Sequence, residues 1–94
     1  MLDIGGDIGA FIVELDDVPP SGELEACPVG RPDRRFHTGV HVRSTGRAER
    51  AIAVYPSVPA GEYSILDDSL RSIGTVVVVG GRVSELRLSG VGRP

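Results

Sequence analysis

The chain has 94 residues, a formal charge of −3, 40% apolar, 24% charged and only 4% aromatic residues. These values describe one ordinary globular domain spanning 1–94 and exclude a disordered chain. The ten basic residues are scattered among thirteen acidic ones, which excludes the concentrated positive face that nucleic acid requires. All of the basic residues are Arg, a bias that fits a GC-rich genome. Thirteen Gly and seven Pro demand many turns, and many turns favour short strands over long helices.

The opening stretch "DIGGDIGAF" invites comparison with a phosphate-gripping loop. A dinucleotide fingerprint places G-x-G-x-x-G between a strand and a helix, because the helix N-terminus holds the anion. Here the spacing is G-G-x-x-G, the following "AFIVEL" reads as a strand, and Asp3 and Asp7 would repel an anion. Two carboxylates with turn carbonyls could contact a hard cation, but the D-x-D-x-D-G spacing is absent. A glycine turn between Leu2–Ile4 and the next strand accounts for the whole stretch.

"AFIVEL" (10–15) puts Phe11, Val13 and Leu15 on one face, and "DDVPPSG" (16–22) stops it. "ELEACPV" (23–29) alternates, with Leu24 and Ala26 opposite Glu23, Glu25 and Cys27. "RFHTGVHVRS" (35–44) alternates most clearly. Phe36, Thr38, Val40 and Val42 share its apolar side, while Arg35, His37, Gly39, His41 and Arg43 share the wet one. "ERAIAVY" (49–55), "EYSIL" (62–66), "TVVVV" (75–79) and "RVSELRL" (82–88) follow, separated by polar or Pro/Gly turns. "TVVVV" is apolar on both faces and is expected in the centre of a sheet. The Gly80–Gly81 pair is expected to turn it directly back on "RVSELRL" as a hairpin. The terminal "SGVGRP" (89–94) is expected to fray. Strand-like runs at this spacing predict an all-β fold, an antiparallel β-sandwich of seven or eight strands, Ig-like in kind.

"AIAVYPSVPAGEYSIL" followed by "TVVVVGGRVSELRL" resembles the transthyretin-like (prealbumin-like) sandwich, also seen in carboxypeptidase regulatory domains. In that family a strand leads into a proline–glycine corner and a late hairpin closes the sheet. The matching positions are Tyr55, Val58, Pro59, Gly61, Tyr63 and Ile65. From "LDIGGDIGA" through "RRFHTGV" to "VGGRVSEL", the chain also resembles a family of small uncharacterised actinobacterial proteins, some carrying a phospholipase label. The nucleophile–base pair or metal-bound histidines that a phospholipase needs do not emerge from the sequence. Transthyretin-like folds include a hydroxyisourate hydrolase whose family ends in Tyr-Arg-Gly-Ser. This chain ends in "SGVGRP", so that resemblance transfers no catalytic residue.

No residue is expected to be catalytic, to bind a cofactor or to hold a metal. His37 and His41 share a face but stand about 13 Å apart at 3.3 Å per strand residue, too far to chelate one ion together. With Arg35 and Arg43 they form a solvated row, or a shallow anion-binding patch whose charge rises in acid. Cys27 lacks a helix N-terminus to depress its pKa and reads as an inert small residue. Asp67-Asp68-Ser69 reads as a turn, because no G-x-S-x-G elbow occurs. The lone cysteine fits a reducing compartment. The start lacks a basic secretory region, and no apolar run approaches a membrane span. The expectation is a cytoplasmic, non-enzymatic module that binds a protein partner, or itself, through a sheet edge or an exposed face. A small hydrolase and a small-ligand binder are the alternatives.

Overall fold

The computed structural model describes residues 5–45 and 48–88. The Leu2–Ile4 segment, Asp3 and the 89–94 tail lie outside the described residues. The chain forms β1 (Ile8–Leu15), β2 (Glu23–Pro28), β3 (Phe36–Thr45), β4 (Ala48–Pro59), β5 (Gly61–Leu66), β6 (Ser72–Val78) and β7 (Val83–Arg87), with one 3₁₀ turn at Pro32–Arg34. These strands make one seven-stranded sheet in the order β6-β5-β2-β3-β4-β1-β7. The fold is all-β, and the sheet is mixed and nearly closed.

β3 turns the corner of this roll. Its first half pairs with β2, from Ala26↔Phe36 to Glu23↔Gly39. Its second half pairs with β4, from Val40↔Ala53 to Thr45↔Ala48. The exchange of partners at Gly39–Val40 bends the sheet and lets the inner faces of its two halves meet. β4 is longer than expected, since it runs through Pro56 to Pro59. Its pairing with β1 shifts between Gly9 and Phe11, so Pro56 and Ser57 fall at a bulge, where a missing N–H is tolerated.

The core lies inside the roll. Phe11, Val13 and Leu15 of β1 meet Leu24 and Ala26, Ala51, Ala53 and Tyr55, and Tyr63 and Ile65 from neighbouring strands. All of the chain's aromatic rings gather in one quartet. Phe11 stacks on Tyr55 at a centroid distance of 4.3 Å and on Tyr63 at 5.7 Å, while Phe36 meets both tyrosines edge-on. The Tyr63 hydroxyl donates to the Pro59 carbonyl and the Tyr55 hydroxyl to the Leu24 carbonyl. Tyr63 therefore ties β5 back to the corner at which Gly61, with φ of 152°, leaves β4.

Two expectations fail at the C-terminal end. β6 is an edge strand, not a central one: Val76 and Val78 face the core, while Val77 and Val79 are 58% and 49% exposed. β7 does not pair with β6 as a hairpin. It lies beside β1 and parallel to it, from Ala10↔Val83 to Glu14↔Arg87, so the sheet is not purely antiparallel.

The cause is the use made of the glycines. Gly81 N–H donates to the Ile8 carbonyl at 2.9 Å, and Ala10 N–H donates to the Arg82 carbonyl at 3.0 Å. The turn after β6 is thereby docked on the start of β1. A Cβ on Gly80 would lie 1.8 Å from the Gly6 carbonyl oxygen, and one on Gly9 would lie 2.5 Å from that of Val79. The glycines permit backbone to pack directly on backbone. The seam between β6 and β7 is then closed by side chains. Ser84 Oγ donates to the Val77 carbonyl, and Leu86 and Leu88 pack over Gly74.

Leu70 has φ of 63° in the turn after β5 and is exposed. Its N–H donates to the Asp67 carbonyl, and Asp67 N–H donates to the Arg71 carbonyl, so the turn holds it there. A leucine in this region costs about 1–2 kcal/mol, against about 0.5–1 for the freedom a glycine gives up. Leu70→Gly is expected to raise unfolding free energy by about 0.5 kcal/mol in a urea melt, whereas Leu70→Ala should change it little. Equal effects from the two substitutions would show that the backbone is unstrained.

Candidate functional site

The opening glycines form a turn, as expected. Gly5 and Ile8 exchange both backbone hydrogen bonds at 2.9 Å around Gly6 and Asp7. The Asp7 carbonyl accepts from Ala60 N–H at 2.7 Å, which ties this turn to the corner after β4. Among the described residues no group of three His, Cys, Asp or Glu side chains could hold a metal. Cys27 is buried at 4% exposure and sits opposite Ser64. Asp67 Oδ1 accepts from Ser69 N–H and Arg71 N–H, which makes it a turn-forming residue.

The row Arg35, His37, His41 and Arg43 is exposed along β3, but the partner exchange at Gly39–Val40 divides it. On the β2 side, Arg35 Nε lies 3.3 Å from Glu25 Oε2, and His37 Nε2 lies 3.4 Å from Glu23 Oε2. Glu25 Oε2 is itself buried, and Arg35 approaches it without hydrogen-bond alignment. Antiparallel pairing sets the glutamates of β2 diagonally across from these two side chains, so this half of the row is not the anion-binding patch that the sequence offered as a reading.

Past Gly39 the surroundings change. His41 stands opposite Ile52, and Arg43 stands directly opposite Arg50. Like charges placed in this way repel. Arg50 is compensated by Glu14 at 3.5 Å and Asp16 at 3.2 Å, and Arg87 approaches Glu14 at 3.7 Å. Arg43 and His41 make no side-chain ion pair or hydrogen bond among the described residues.

Beside Arg43 the outer face of β3, β4, β1 and β7 is hollowed into a groove of about 450 Å³. Ile12, Ile52 and Val54 form its floor, and Glu85 stands on the β7 flank. The cationic spot falls on Arg43, in the row that the sequence offers as a shallow anion-binding patch, but the apolar floor is not legible in the sequence as a site. Ile12, Ile52 and Val54 come from two strands, and only the Ile12↔Val54 and Glu14↔Ile52 register sets them side by side.

Because the two histidines bind neither each other nor a buried partner, removing both should be harmless. His37→Ala with His41→Ala is expected to shift stability at neutral pH by no more than about 0.5 kcal/mol. Stoichiometric zinc is expected to leave the melting temperature unchanged. A zinc-dependent rise that vanishes in the double variant would establish a metal site, because a metal that binds only the folded state must stabilise it.

The fold is all-β with a nearly closed seven-stranded sheet, and among the described residues no polar or charged residue is buried as a whole, although Glu25 Oε2 is. No family model, no curated protein and no solved structure matches the chain. Among the described residues no helix is long and apolar enough to cross a membrane.

Proposed function

We propose that the chain is a non-enzymatic protein-interaction module that binds through the outer face of its β6 edge. One observation carries this reading. The strand from Ser72 to Val78 contains no charged residue, lies at one end of the strand order, and turns Val77 outward at 58% exposure. The backbone edge of β6 is covered by Ser84, Leu86 and Leu88 of the β7 segment, so the candidate surface is the outward valine stripe, and apolar surface grouped in this way marks an interaction site. Val79 extends the stripe, and Val29, 48% exposed, lies across β5, where its N–H donates to the Glu62 carbonyl. A sandwich reading of the transthyretin-like kind is part of the proposal. It is supported by the partner exchange of β3 and by the Tyr63–Pro59 bond at the corner, a device shared by many two-layer β folds. We place the module in a bacterial cytoplasm, with the free, buried Cys27 as the supporting feature.

The test is capture from native lysate on the immobilised protein, with Val77→Lys as the comparison. Wild type should retain a defined partner, or untagged copies of itself, and Val77→Lys should lose it while keeping its circular-dichroism spectrum. An identical set of retained proteins from both would remove β6 from consideration.

A further inference from the structure

We propose that the groove on the outer face of β3, β4, β1 and β7 is a second binding surface, which takes an extended peptide segment that is acidic at one end, aliphatic in the middle and basic at the other. It lies away from the β6 valine stripe and does not depend on that reading. Charge complementarity sets the occupant. On the β3 flank, Arg43 faces Arg50, whose own charge is already shared with Glu14 and Asp16. Among the described residues Arg43 has no partner, so an incoming carboxylate would relieve the repulsion as well as pair with it. On the β7 flank Glu85 likewise has no side-chain ion pair or hydrogen bond among the described residues. Between the two flanks lie Ile12, Ile52 and Val54, of which Val54 is 36% exposed.

The size agrees. Glu85 lies in the row of Ile12 and Val54, four residues along the strands from the Arg43–Arg50 pair, so about 14 Å across and about 13 Å along give a diagonal of roughly 20 Å, the reach of about seven extended residues. The groove volume of about 450 Å³ also lies within the roughly 300–1,000 Å³ range of small-ligand sites. A carboxylate at the Arg43 end and an ammonium at the Glu85 end would fix the orientation, while two aliphatic side chains at alternate positions, which share one face of an extended segment, would cover the floor. Exposed charge pairs are individually weak, so affinity is expected to be modest and specificity to come from having both ends.

The experiment is an amide and methyl NMR titration of the full chain with acetyl-Asp-Ser-Ile-Ser-Val-Ser-Lys-amide, whose Asp, Ile, Val and Lys share one face when extended. Acetyl-Lys-Ser-Ile-Ser-Val-Ser-Lys-amide and acetyl-Asp-Ser-Ser-Ser-Ser-Ser-Lys-amide serve as controls. The expected result is saturable shifts at Ile12, Ile52 and Val54. Affinity should fall about tenfold when Arg43 is changed to Glu, and both controls should bind more weakly. Arg43 is exposed, so R43E should fold, and its spectrum checks that directly. Val77→Lys should leave the titration unchanged, which separates this surface from β6. Shifts confined to other strands, no saturation at millimolar peptide, or equal affinity for R43E would each overturn the proposal.

Discussion

Gly80→Ala is expected to lower the unfolding free energy by about 3 kcal/mol, the upper range of overpacking at a site that cannot give. The added Cβ would sit 1.8 Å from the Gly6 carbonyl oxygen and 2.9 Å from its carbon. Both are backbone atoms of a turn that is itself held by the Gly5–Ile8 pair, so no side chain can swing aside. Relief requires that the turn after β6 lift from the start of β1. That movement would strain the Gly81–Ile8 and Ala10–Arg82 hydrogen bonds and, through them, the parallel pairing of β7. Gly81→Ala provides the contrast. Its site is open but has φ of 76°, so only the left-handed penalty of about 1–2 kcal/mol applies. Urea melts measure both. A loss under 1 kcal/mol for Gly80→Ala would mean that the two turns do not pack backbone on backbone.

The aromatic quartet gives the other large effect. Tyr63→Ala should cost about 3–5 kcal/mol, as loss of a buried aromatic does. It removes ring contacts to Phe11 and Phe36 and the hydroxyl that holds Pro59. Tyr63→Phe keeps the rings and should cost only about 1 kcal/mol, the worth of one hydrogen bond. The same quartet sets the alkaline limit of stability. Burial pushes the Tyr55 hydroxyl well above its ordinary value, with the Glu25 carboxylate adding to the effect, and burial also raises Tyr63. In the unfolded chain both ionise near pH 10. A group whose folded pKa is raised contributes stability that is fully present below the unfolded value and is lost as pH rises toward the folded one. Stability should therefore be flat up to about pH 10 and fall above it. Tyr55→Phe should make that fall shallower. An unchanged alkaline limb in the Tyr55→Phe variant would place the ionising group elsewhere.

The sequence by itself determined the strands and much of their facing, although Val42, expected on the apolar side, is 57% exposed, and Cys27, expected beside Glu23 and Glu25, is buried. Period-two alternation put Phe11, Val13 and Leu15 inward, and it put Arg35, His37, His41 and Arg43 outward, because a pleat leaves only two faces to choose between. It also located the opening glycine turn and the corner built on Pro59, Gly61 and Tyr63, since these depend on neighbours a few residues away. Only the tertiary structure decided where each strand lies in the sheet. "TVVVV" has the β-branched content of a buried strand, yet it forms an edge, because β propensity reports fit to a pleated surface and not the number of neighbours. Gly80–Gly81 carries the residues of a hairpin, but what matters there is the approach of Gly6 from the far end of the chain. The neutralised and unneutralised halves of the β3 row were equally hidden. Glu23 and Glu25 lie beside His37 and Arg35, and Arg50 lies opposite Arg43, only because β3 changes partner at Gly39–Val40. That exchange follows from closing a twisted sheet around an apolar core. Side-chain periodicity along one strand carries no information about which strand comes to lie beside it.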